Sequence, residues 1–137
     1  LKVLLDTNAY SDWKRGHEGV TNLIRQSEKF VISSIVVGEL LYGFRCGSRY
    51  QANVVELHEL LNSQYVELLT VTLDTADRFA RIAESLKTKG KPIPSNDIWI
   101  AAHAMETGSC LISRDLHFAN IDGLFWISPT DPGCSPF

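Results

Sequence analysis

Four acidic residues stand where apolar stretches begin, end or surround them. Asp6 follows Val3-Leu4-Leu5, and Glu39 lies among Val36, Val37, Leu40 and Leu41. Asp97 opens the run Ile98–Ala102, and Asp115 follows Cys110-Leu111-Ile112-Ser113-Arg114. If the chain brings these carboxylates together, they cannot all stay ionised without a positive partner. Like charges about 4 Å apart repel by roughly 4 kcal/mol per pair at an effective dielectric near 20. A divalent cation resolves that conflict. Oxygen ligands without Cys or His in the set select a hard ion, Mg²⁺ or Mn²⁺. Such a site keeps positions open for water and for phosphate oxygens, which is the arrangement for metal-assisted phosphodiester hydrolysis.

The elements around the acids give a reason to expect that meeting. Lys2–Leu5 reads as a short strand buried on both faces, as in a parallel sheet. Further strands are expected at Phe30–Ser33, Tyr65–Val71, Cys110–Ser113 and Phe125–Ser128. Between them, helical periodicity covers Tyr10–Arg15 weakly, Val20–Ser27, Ile35–Arg45 and Tyr50–Leu61. A helix through Lys87 is expected to be capped by Asp74 and to bury Ala76, Phe79, Ala80, Ala83 and Leu86. Another, capped by Ser95, carries Asp97 in its first turn and stops at Gly108. Strands alternating with helices predict an α/β fold of three layers, α/β/α, around a five-stranded parallel sheet. In right-handed βαβ units, strand carboxyl ends and helix amino ends share one edge of the sheet. Asp6, Asp97 and Asp115 all belong to that edge, and Glu39 reaches back to it from the second turn of its helix.

Length and composition narrow the possibilities. A chain of 137 residues with 45% hydrophobic and 21% charged residues fits a single globular domain over 1–137, with an irregular tail at 129–137. No apolar run is long enough for a membrane span, and the immediate entry into a strand leaves no room for a signal peptide. Cys46, Cys110 and Cys134 form no C-x-x-C pair, which points to a reducing cytoplasm rather than a disulfide framework or zinc site. The net charge of −3 does not favour a polyanion. Setting the four acids aside leaves 13 positive against 12 negative charges, so a neutralised cluster removes that obstacle.

In order along the chain, Leu4-Leu5-Asp6-Thr7-Asn8, Gly38-Glu39-Leu40-Leu41-Tyr42-Gly43, Asn96-Asp97-Ile98-Trp99-Ile100-Ala101-Ala102 and Ile112-Ser113-Arg114-Asp115 resemble the four motifs of PIN-domain ribonucleases. Size and motif order resemble the VapC-type toxins of toxin–antitoxin pairs. The resemblance covers residues 2–128 and implies a PIN-like fold, frequently homodimeric. It implies Mg²⁺- or Mn²⁺-dependent cleavage of RNA, restrained by a cognate antitoxin protein. It assigns metal binding and catalysis to Asp6, Glu39, Asp97 and Asp115, with Thr7, Asn8 and Ser113 in support. Where many members carry a further acid two residues beyond the fourth motif, this chain has His117. That departure leaves a second metal fewer anionic ligands and implies one well-held ion, with a second arriving alongside RNA.

Lys14, Arg15, Arg45, Lys89 and His117 are candidates for contact with RNA, Lys14 and Arg15 because they follow closely on Asp6. Trp13, Trp99 and Tyr42 can stack on bases, though Trp99 better suits the core or a dimer contact. His58 and His103 lie within helical patterns and read as structural. Two rival readings fit part of the pattern: a PIN-fold binding protein without catalysis, and a phospho-acceptor receiver domain. The receiver needs an aspartate ending the third strand, where this chain has Val71-Thr72-Leu73.

Overall fold

The computed structural model describes residues 1–129. A five-stranded, wholly parallel sheet runs in the order β3-β2-β1-β4-β5. The strands are β1 (Lys2–Leu5), β2 (Lys29–Ser33), β3 (Val66–Leu69), β4 (Cys110–Ile112) and β5 (Trp126–Ile127). Between β1 and β2 come α1 (Thr7–Lys14) and α2 (Glu18–Arg25); between β2 and β3, α3 (Ser34–Cys46) and α4 (Tyr50–Leu61). Before β4 come α5 (Leu73–Thr88) and α6 (Ser95–Thr107), and a 3₁₀ turn spans Leu116–Asn120. Right-handed crossovers put α1–α4 on one face of the sheet and α5–α6 on the other.

β1 is the central strand because its side chains suit nothing else. Val3, Leu4 and Leu5 are fully buried, each contributing roughly 1.5–3 kcal/mol relative to exposure. Leu4 aligns with Val31 on one side and Leu111 on the other. From β1 the chain builds outward through β2 to β3, then returns to β1's other side for β4. The sheet therefore reverses direction between β1 and β4, and open α/β sheets bind ligands beyond the strand carboxyl ends at such a reversal. Asp6 leaves β1 there, and Ser113 and Asp115 leave β4 beside it. The ladder even extends to the aspartate, whose backbone N–H donates to the Ile112 carbonyl at 3.3 Å.

Several local expectations need correction. The cap of α5 is Thr72, which exchanges hydrogen bonds with Thr75, while Asp74 lies inside the helix and pairs with Arg78 at 3.6 Å. A hydroxyl pair satisfies both ends of that cap, leaving the carboxylate free for its i+4 neighbour. The buried face of α5 is Thr75, Ile82 and Leu86; Phe79 stacks on Trp99 at 4.0 Å, and Ala80 faces solvent. Ser95 is the first helical residue of α6, and the capping position belongs to Pro94, whose carbonyl accepts from Asp97 and Ile98. β3 stops at Leu69, level with Ser33, because β2 offers no further partner; it is an edge strand without the acid a receiver domain requires. Gly108 ends α6 in the left-handed conformation, φ 64°, as glycine permits without cost. The tail at 129–137 lies, beyond Pro129, outside the described residues.

Candidate active site

Asp6 has two structural tasks before any chemical one. It caps α1, its Oδ1 accepting the Ala9 N–H at 2.8 Å. Its Oδ2 accepts a short hydrogen bond from the Ser113 hydroxyl. The Ser113 oxygen in turn accepts the Asp115 N–H at 3.0 Å. One serine thus ties together the ends of β1 and β4 and fixes the acids that follow both. Asp6 is only 3% exposed. Burial pushes its carboxyl up to about 6, the charges of Asp115 and Asp97 push the same way, and the hydrogen bonds from Ser113 and Ala9 only partly oppose them.

Glu39 comes from the second turn of α3, and the Thr7 hydroxyl donates to its Oε1 at 2.8 Å. Asp97 occupies the first turn of α6, where helix N-termini favour negative charge. Burial nevertheless raises its pKa; His117 opposes the shift, while Asp115 and Glu39 add to it. Asp115 stands at the entry to the 3₁₀ turn. His117 Nε2 lies 2.9 Å from Asp97 Oδ2, near enough for an ion pair although its N–H is not aligned for a hydrogen bond. Potential ligand atoms of Asp97, Asp115 and His117 all lie within 4.8 Å of one another.

Asp6, Glu39, Asp97 and Asp115 line one cleft of about 430 Å³, together with Thr7, Asn8, Ser95 and Asn96. Among the described residues, no lysine or arginine lines it. Asp6 and Asp97 show what this costs: burial raises both carboxyls, and the neighbouring acids add to the rise. An oxygen-rich, negatively charged pocket with open volume fits a hard dication.

The basic residues lie elsewhere. α1 runs away from the cleft, so Lys14 and Arg15 sit at its far end and line a second cleft with Arg49 and Glu56. Although they follow Asp6 closely in sequence, eight helical residues carry the chain roughly 12 Å between them. Arg45 covers the Tyr50 ring, and Lys89 ties the Asn120 carbonyl and Asp122 at 2.8 and 2.7 Å. Trp13 packs between Tyr10 and Phe30, and is not a free stacking surface. His103 is buried between the Ser33 hydroxyl and the Thr70 carbonyl, a structural histidine as its helical setting suggested. His58 is exposed on α4.

Sequence reasoning missed Ser95 and Asn96 as cleft walls, although both adjoin Asp97 in the third motif. It also missed Arg114, whose guanidinium folds back to Asp12 of α1 at 2.7 Å. No local signal could pair residues 12 and 114.

Residues 3–124 match the PIN domain. Ribonuclease VapC2 of Haemophilus influenzae is 34% identical over 118 residues, covering 85% of this chain and 88% of that protein. The structure superposes on VapBC-1 from nontypeable Haemophilus influenzae with a TM-score of 0.82 at 26% identity, covering 96% of this chain and all of that one. DNA-bound VapBC from Salmonella typhimurium gives a TM-score of 0.81, also at 26% identity, covering 94% of this chain and 98% of that one. With the order of its motifs, its reversed parallel sheet and these likenesses agreeing over nearly the whole length, the chain belongs to the PIN-domain family, alongside the VapC ribonucleases.

Proposed function

We propose that this protein is a Mg²⁺- or Mn²⁺-dependent endoribonuclease and the toxin of a toxin–antitoxin pair. The observation that carries the reading is the meeting of four acids, from positions 6 to 115, in one cleft without a facing lysine or arginine. A bound divalent ion supplies an activated water and neutralises charge developing on the phosphate. Asp6, Asp97 and Asp115 would hold it, with Glu39 completing the acidic wall. Ser113 keeps Asp6 and Asp115 in register, Thr7 orients Glu39, and Asn8 offers a neutral polar group at the mouth of the cleft. No side chain serves as nucleophile.

The family supports a cognate antitoxin as the restraining partner, and the matching structures from Haemophilus influenzae and Salmonella typhimurium are of VapBC. A homodimer is supported by apolar side chains left open from the start of β3 to the start of α5, Tyr65, Leu68, Val71 and Leu73, the last 87% exposed. The thiols of Cys46 and Cys110 are free, which suits the cytoplasm. No helix among the described residues is long and apolar enough to cross a membrane.

The test is cleavage of a random RNA pool with Mg²⁺, with Mn²⁺ and with EDTA, for wild type and Asp97→Asn. Cleavage that depends on the ion and is lost in the variant is expected. Full cleavage in EDTA refutes the reading.

A further inference from the structure

A second groove, of about 640 Å³, opens from the acidic cleft and shares Thr7, Glu39 and Asn96 with it. Its floor is one face of α3. Ile35, Gly38, Glu39 and Tyr42 stand at helical spacings of three and four, so they project to the same side. Three features of that face have no structural explanation. Tyr42 leaves its ring 72% exposed. Gly38 weakens a helix interior relative to alanine, yet a Cβ there would meet nothing within 4 Å. The face also presents no charge other than Glu39. Together they form a slot: Ile35 on one side, Tyr42 on the other, and a missing side chain between them.

We propose that this slot receives the base of the nucleotide next to the scissile phosphate, laid flat on the Tyr42 ring, so that Tyr42 and Gly38 set which nucleotide is preferred beside the cut. The inference rests on the nuclease reading above. A phosphate held at Asp6, Asp97 and Asp115 has its neighbouring nucleoside one backbone unit away, and Glu39 lies on both the cleft and the slot. Stacking on an aromatic ring needs only a π-face, while the slot's walls decide how large a base fits. The Asn96 amide, on the ridge between the two cavities, offers both a donor and an acceptor to a base edge.

The test sequences the ends of RNA fragments cut from a random-sequence pool by wild type, Tyr42→Phe, Tyr42→Ala and Gly38→Leu. KM is then measured on one oligonucleotide carrying the mapped site, intact or abasic beside the cut. Tyr42→Phe keeps the wild-type preference. Tyr42→Ala flattens it and raises KM roughly ten-fold on the intact oligonucleotide, but differs little from wild type on the abasic one. Gly38→Leu fills the slot and also loses the preference, while Gly38→Ala melts at or above the wild-type temperature, which shows that the helix tolerates a side chain there. Unchanged preference in Tyr42→Ala, or an equal KM rise on intact and abasic RNA, overturns the inference. Loss of binding to a protein partner by Tyr42→Ala with RNA preference intact overturns it as well, and gives the groove to that partner. Failure of wild type to cut any RNA is a different outcome: it removes the nuclease reading, and this inference with it.

Discussion

Asp6→Asn should make the metal-free protein more stable while abolishing its response to metal. Burial and two neighbouring acids raise Asp6 from 3.8 to about 6. At 1.36 kcal/mol per unit, ionising it in the folded state at pH 7 costs about 3 kcal/mol. Asparagine caps a helix about as well as aspartate, so the Ala9 hydrogen bond survives. The Ser113 contact reverses, with the amide donating to Oγ and the serine proton losing its acceptor, at a cost of about 1 kcal/mol. The net expectation is a gain of about 1–2 kcal/mol in EDTA at pH 7. The sign of the pH dependence follows from the raised value. Folded Asp6 binds its proton more tightly than the unfolded chain does, so the wild type is relatively most stable below pH 4 and loses that stability as pH rises to about 6. The variant lacks that loss, and its advantage should shrink as pH falls from 7 to 4. Urea unfolding followed by circular dichroism, at several pH values in EDTA and again in Mg²⁺, measures all of this. With Mg²⁺ the wild type should gain stability and the variant should not. A variant less stable than wild type at pH 7 in EDTA, or a difference that ignores pH, refutes the reasoning.

Ser113→Ala removes the donor to Asp6 and the acceptor for the Asp115 amide; we expect a stability loss of about 1–3 kcal/mol and a lower kcat on RNA in Mg²⁺, with Ser113→Thr less damaging on both counts. Burial lowers the pKa of His103, which the Thr70 carbonyl and Glu106 only partly offset. In the Asp6→Asn/Asp97→Asn background, where both opposing acids are silent, stability should therefore fall as pH drops below about 6.5, where the unfolded histidine takes up its proton first; a flat urea midpoint between pH 7.5 and 5.5 contradicts this. His117→Asp places an anion beside Asp97 and Asp115, so calorimetric titration should show tighter Mg²⁺ binding, and the metal-free protein should melt lower than wild type. Leu4→Ala in the central strand should cost about 2–5 kcal/mol by urea unfolding, with no change in the metal requirement of whatever activity remains.

The parts of the fold legible in the sequence are those where one physical effect dominates. Val3, Leu4 and Leu5 permit only a doubly buried strand, and their parallel neighbours follow from the alternation of strands and helices. Gly108 stops α6 as its freedom at positive φ allows. The cleft was legible for a related reason, since strand ends and helix starts share an edge whatever the side chains do. Competition between near-equal partners was not legible. Thr72 and Asp74 both suit a cap, and a threonine three residues on decided between them. Ser95 stands one place too late because Pro94 fixes the turn before it. The ion pairs were not legible either, because charge alone does not reveal a side chain's partner. Arg114 found Asp12, and Lys89 found Asp122.

The serine that bridges the first strand to the fourth has a consequence for how the molecule is made. Asp6 leaves the ribosome well before Asp97, Ser113 and Asp115, which come more than ninety positions later. Until β4 inserts beside β1, a growing chain carries Asp6 without the serine that holds its second oxygen. A cell translating this message is therefore exposed to a cutting centre only after β4 and Asp115 have been made and have docked beside β1, which gives any restraining partner until that moment to be waiting.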